Sequence, residues 1–262
     1  MGNFTISLSC FHTTAMNCKN CTTALDREYL FCPHCGEPAH PHRLTLTHVI
    51  HEFIHAFVHA DKGIFLLVKD LAYYPGRAAL AYTEGIRKKY FNPVSFLLIA
   101  GGLTFFLRYK MGVIQSINNT KFAKYAGEFL HHYTTPIIIL MIPLLSLYSW
   151  LFFKAAGKNY AENMVMNMYM MGEYHLFSIV VFVLPAWLFP QLYVLFITAS
   201  FLMLAIYYYF TCKTFFKQAT STTLIKVIVI ELLFMITLGL FIGIALVLYL
   251  AIFSGLHLKD LK

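Results

Sequence analysis

Charge is scarce in this sequence. Of 262 residues only 12% are Asp, Glu, Lys or Arg, where an average soluble domain has about 25%, and 59% are hydrophobic. That balance excludes an ordinary water-soluble domain and reads as a polytopic membrane protein. Tryptophan is nearly absent at 2 residues, so 17 Tyr and 25 Phe supply the interfacial and packing aromatics. The N-terminus, MGNFTISLSCFHTTAMN, lacks a basic region followed by an apolar run, so it is not a secretory signal. Ile6 stands where myristoylation needs Ser or Thr. Three Asn-x-Ser/Thr matches begin at Asn3, Asn20 and Asn118, but Asn20 lies inside a cysteine cluster, so these carry no weight.

What is present is a net charge of +8, with the basic residues placed beside apolar runs. There they meet anionic headgroups and set orientation, which makes the bilayer, not nucleic acid, the partner.

Stretches free or nearly free of acidic and basic side chains predict five spans, since about 20 apolar helical residues cross the hydrocarbon core. They are Tyr90–Leu107, Tyr133–Phe153, Ala161–Leu184, Gln191–Cys212 and Val227–Phe253. Pro185 and Pro190 divide the long uncharged run from Tyr174 to Cys212. The expected order is a flexible N-terminus (1–17), a zinc ribbon (18–42), amphipathic interfacial helices (43–90), five transmembrane helices (90–253) and a short tail (254–262). The fold class is therefore all-α polytopic membrane protein with a small N-terminal ribbon.

Two segments ahead of the first span are amphipathic. Leu44–Ala60 puts Ile50, Phe53, Ile54 and Phe57 on one face and His48, His51, His55 and His59 on the other, within about 80° of arc. Arg77–Tyr90, after the Pro75-Gly76 break, sets Tyr82, Ile86 and Tyr90 opposite Arg77, Glu84 and Lys88. Both are expected to lie on the membrane. Arg87–Lys89, Lys154, Lys158, Lys213, Lys217 and Lys226 mark cytoplasmic ends, although the basic 108–132 loop opposes this bias. Reduced thiolates need a reducing compartment, which favours a cytoplasmic N-terminus and, with five spans, a periplasmic C-terminus.

Cys18, Cys21, Cys32 and Cys35 form two Cys-x-x-Cys pairs. Each pair presents two sulfurs from one tight turn, and two turns complete a tetrahedral zinc site. Gly36 permits the second turn and Pro33 stiffens its approach. With four ligands supplied the site is closed, so the expected role is structural or docking.

The segment from Asp61 to Ile99, preceded by the cysteine pairs, Arg43 and Glu52, resembles the bacterial membrane protein family of Bacteroidota catalogued as domain of unknown function 3667. The matching positions are Asp61, Gly63, Pro75, Gly76, Tyr82, Gly85, Arg87, Tyr90 and Pro93. Further on, Tyr160 and Glu162 fit the family pattern but Asn163 replaces its histidine. The resemblance implies a multi-span inner-membrane protein with a cytosolic ribbon and implies no activity.

Other candidates are weighed against plainer roles. His51 and His55 have the i, i+4 spacing of a second metal site, and also that of a polar face. Met164, Met166, Met168, Met170 and Met171 could bind copper or simply pack. Gly101-Gly102 reads as close helix packing. Glu162, Glu173, His175 and Glu231 form a candidate intramembrane polar site, with Arg108 as a possible partner for Glu173. A scaffold or accessory factor, whose ribbon docks a cytosolic partner, ranks first. A small-solute or ion transporter ranks second, and a homo-oligomer fits either. A lipid-modifying enzyme ranks last, since no Ser-His-Asp set, HxxxD block or phosphate loop is found.

Overall fold

The computed structural model describes residues 16–26, 28–40, 43–47, 49–50, 63–111 and 121–253. The ribbon opens with strands β1 (Met16–Asn17) and β2 (Ala24–Leu25), paired antiparallel with Met16 opposite Leu25. The helices follow as α1 (Ile64–Tyr73), α2 (Arg77–Thr83), α3 (Pro93–Met111), α4 (Lys121–Leu140), α5 (Ile142–Phe152), α6 (Tyr160–Ser178), α7 (Tyr193–Phe216) and α8 (Thr220–Phe253). A π turn, Ile179–Val183, carries α6 on to Leu188.

Among the described residues, four helices are long and apolar enough to cross a membrane: Pro93–Met111, Tyr160–Leu188, Pro190–Phe216 and Thr220–Ala251. The expected second span, Tyr133–Phe153, is a bent pair of helices, Tyr125–Leu140 and Ile142–Phe152, at 41° to each other, which counts as a fifth crossing where the pair is one broken span and as a re-entrant loop otherwise. Pro136 inside α4 and Pro143 at the start of α5 remove the backbone donors that a straight helix would use there. Pro185 does not end the third span, because the π turn before it absorbs the missing donor. The chain breaks instead at Phe189-Pro190.

The helix expected over Arg77–Tyr90 stops at Thr83, followed by Gly85 at φ 106. Tyr82 and Tyr90 are buried against protein, not laid on a surface. Tyr82 meets the Tyr169 ring edge-on at 5.7 Å, and the Tyr90 hydroxyl donates to Asp70 at 2.9 Å. With α1, a helix the amphipathic pattern did not single out, α2 forms a hairpin packed on α6 and α7. Two hydroxyls tie this layer to the bundle: Tyr207 donates to the Leu71 carbonyl at 3.2 Å and Tyr169 to the Phe91 carbonyl at 2.6 Å.

The core is built around α6, which touches α1, α2, α3, α5 and α7. Met164, Met166, Met168, Met170 and Met171 are all buried there, in contact with apolar neighbours, so they pack. Glycines let the backbones close up: a Cβ on Gly172 would meet Phe96 at 2.6 Å and one on Gly101 would meet Ile139 at 2.7 Å. Beside the bend opens an apolar cleft of ≈ 730 Å³, lined among others by Ile50, Leu97, Gly101, Pro136, Ile139 and Met164.

Candidate metal centre and buried polar groups

The two cysteine knuckles are copies of one turn. In the first, the Thr22 amide donates to the Cys18 carbonyl at 2.9 Å and the Cys18 amide to the Thr23 carbonyl at 2.9 Å. In the second, Gly36 donates to Cys32 at 2.8 Å and Cys32 to Glu37 at 2.8 Å. The fifth residue of each turn is left-handed, Gly36 at φ 71 and Thr22 at φ 61. Glycine takes that conformation without cost, whereas threonine does not.

These turns bring the ligating atoms of Cys18, Cys21, Cys32 and Cys35 within 4.8 Å of one another, a set that could hold a metal ion. Cys18 and Cys35 sulfurs lie 3.6 Å apart and Cys21 and Cys32 sulfurs 3.5 Å apart. A tetrahedron with metal–sulfur bonds of about 2.3 Å has an edge of roughly 3.8 Å, so the donor set fits a four-thiolate centre. A disulfide needs about 2.05 Å, and all four cysteines are free. The Thr23 hydroxyl and amide hold the Cys21 thiol down at about 5, while burial pushes Cys35 up to about 12. Deprotonated, four sulfurs at this spacing could hold a metal cation between them.

The ribbon is fastened to the bundle. Buried Glu37 accepts from the Lys88 amide at 2.9 Å, and Lys19 Nζ donates to the Glu84 carbonyl at 3.0 Å. Arg43, just after the ribbon, donates to Glu162 from Nε at 3.0 Å and from Nη2 at 3.1 Å, with a further bond to the Gly157 carbonyl at 2.6 Å.

Glu162 lies at the start of the Tyr160–Leu188 span, where local partners occupy it. It sits in the first turn of α6, where it closes a capping box with Asn159 and holds Arg43. Glu173 is inside the bundle, 1% exposed, and neither carboxylate oxygen has a hydrogen-bond partner. His175 is buried against α3, where a Cβ on Gly101 would lie 3.7 Å from its ring, and its Nε2 is unpartnered. Glu231 is half-buried with Oε1 unpartnered, while Lys226 turns to Gln218 at 3.0 Å. Among the described residues no second group of three His, Cys, Asp or Glu side chains comes within metal-binding distance, so these four are not brought together. The expected pairing of Glu173 with Arg108 is not made. His51 and His55 lie outside the described residues.

A polar network was missed by the sequence reading. Asn167 Nδ2 donates to Ser149 Oγ at 3.1 Å and to the Asn163 carbonyl at 3.0 Å, and Ser149 Oγ donates to Asn163 Oδ1 at 3.0 Å. The signal was available: Asn159, Asn163 and Asn167 recur every fourth residue along α6.

Among the described residues, several that carry the resemblance are architectural. Gly63 and Gly76 leave no room for a side chain: added Cβ atoms would lie 3.2 Å from the Lys89 carbonyl oxygen and 2.5 Å from that of Thr211. Tyr82 and Tyr90 lock the hairpin, and Pro93 opens α3. No curated protein and no solved structure matches the chain. Residues 61–105, the hairpin and most of the first span, match the family described as Protein of unknown function (DUF3667), which is the family the sequence resembles.

Proposed function

We propose that this is a membrane-anchored docking protein, a scaffold or accessory factor of a bacterial inner membrane. In this reading its ribbon holds zinc and faces the cytoplasm, and its C-terminal end is periplasmic. Zinc is favoured because four thiolates at tetrahedral spacing suit a closed structural site. The observation that carries the docking role is the ribbon's free side. Tyr29, Leu30 and Phe31 are 47%, 77% and 60% exposed, three consecutive apolar residues on a module whose other side is fastened through Glu37 and Lys19. An apolar patch held at a fixed place above the bundle matches a protein partner's groove. The reading assigns the chain no enzymatic activity.

The test is crosslinking from position 30 in cells, with zinc content measured on the same protein. A partner that crosslinks to the native ribbon, and is lost in Leu30→Asp while zinc is retained, supports docking. Crosslinks to lipid alone would sink it. A phosphatase fused after Phe253 reports the orientation, and activity in the periplasm is the expected result.

A second reading, ion or small-solute transport, is favoured by Glu173, because a carboxylate without partners inside a span is costly to keep. Glu173→Gln that folds normally yet abolishes flux in liposomes supports transport. Unchanged flux, or none in the native protein, removes it.

A further inference from the structure

Arg108 stands near the end of α3, about 22 Å along the helix axis from Pro93 and therefore in the half of the bundle away from the ribbon. Its Nε is buried without an acceptor, and it forms no salt bridge among the described residues. The side chain is partly exposed, with Cζ 5.7 Å from the Phe182 ring centroid. Phe182 is carried by the π turn of the α6 span, an irregularity that reorients one helix face and is frequent at functional sites.

Four further polar groups lie within electrostatic range of the guanidinium: His131 from α4, Tyr174 and His175 from α6, and Tyr193 from α7, whose ring is 5.5 Å from that of Phe182. His131 Nδ1 and His175 Nε2 are both buried and unpartnered. The Tyr174 hydroxyl shares a hydrogen bond with Ser200 Oγ at 2.9 Å. None of these groups is a carboxylate. A guanidinium offers five donors and no acceptor, and phenol and imidazole can add more. A partly buried cation is best balanced by an anion beside it, and none of these groups supplies one, while the imidazoles and phenols can donate to the same anion.

We propose that this cluster binds a phosphate-class oxyanion, held bidentately by Arg108 with His175, His131 and Tyr193 around it. The fork of the guanidinium matches two oxygens of such an anion. The apolar wall beside it, Leu107, Met111, Phe182 and Phe196, can take the organic part of an ester. The same chemistry is offered by the phosphodiester of an anionic lipid headgroup and by free phosphate.

The experiment measures the thermal midpoint of the full chain in maltoside micelles, which contain no phosphate, during titration with inorganic phosphate or with phosphatidylglycerol. A midpoint that rises with inorganic phosphate identifies a free anion as ligand, and a rise with phosphatidylglycerol alone identifies a headgroup. In either arm Arg108→Gln moves the half-maximal concentration by about tenfold or more, the loss of one charge-assisted contact. If Arg108→Gln does not accumulate, Tyr193→Phe, which removes one donor, weakens the response by about fivefold. A midpoint insensitive to both ligands, or variants that respond as the native chain does, overturns the site.

Discussion

Gly76 and Thr211, 135 positions apart, meet backbone to backbone: a Cβ on Gly76 would lie 2.5 Å from the Thr211 carbonyl oxygen. Gly76 is also left-handed, at φ 81. Gly76→Ala therefore has two penalties, strain of about 1–2 kcal/mol and displacement of the hairpin from α7. Gly102 faces open space within α3, so Gly102→Ala is expected to be neutral or to stabilise by up to about 1 kcal/mol. Thermal midpoints of the two variants should move in opposite directions or differ by several degrees.

In the proposed reading a zinc ion holds the ribbon together, so Cys18→Ser should lose the ion and, with it, the ribbon fold. Metal analysis of the purified native chain should find a single zinc ion, and of the variant, none. Zinc surviving removal of all four cysteines would falsify the assignment.

The two knuckles predict opposite responses to small changes at matching positions. Gly36→Ala puts a side chain into a left-handed turn and should weaken metal retention by about 1 kcal/mol or more. Thr22→Gly relieves the same strain but gives up the bond from Thr22 Oγ1 to the Cys21 carbonyl at 2.6 Å. Competition with a chelator should therefore show Gly36→Ala losing zinc first and Thr22→Gly near the native level.

Burial, reinforced by the Asp70 acceptor, raises the Tyr90 phenol above its ordinary value near 10. A raised folded pKa means that the unfolded state releases the proton first as pH rises. The stabilisation is complete below about pH 10 and is lost as pH climbs through the folded value. Tyr90→Phe should be less stable than the native chain at pH 8, and the gap should narrow above pH 10. A gap that widens with pH would contradict the burial of this hydroxyl.

The Glu162 carboxylate serves two roles of unequal weight, the helix cap and the Arg43 pair. Removing it in Glu162→Ala takes away the capping box as well as the Arg43 pair and should cost about 1–2 kcal/mol. Arg43→Ala leaves the cap intact, and because its side chain is 59% exposed the loss should stay below about 1 kcal/mol. Denaturant or thermal unfolding of both variants would rank them.

The spans and the cysteine cluster were legible because each depends on local pattern: uncharged runs near membrane length, and two Cys-x-x-Cys pairs. Where a proline acts was less so. Pro185 and Pro190 look alike in sequence, yet the π turn absorbs the first and the chain breaks at the second. The placement of Glu162 also escaped, because helical periodicity puts it on a face with Glu173 but does not reveal that Asn159 starts the helix three residues earlier. The inward packing of the Arg77–Tyr90 segment was hidden for a related reason. Its tyrosines suit a membrane surface, and only the tertiary partners, Tyr169 and Asp70, turn them inward.

The hydroxyls of Tyr169 and Tyr207 impose an order on synthesis. The hairpin and the first span emerge early, but the carbonyls of Phe91 and Leu71 find their donors only after 78 and 136 further residues have been made. Until α6 and α7 are in place the segment that defines the family has no seat, and its apolar side must wait in the headgroup layer or under a chaperone. A chain truncated before α7 should therefore insert its first span and still leave the hairpin open to protease.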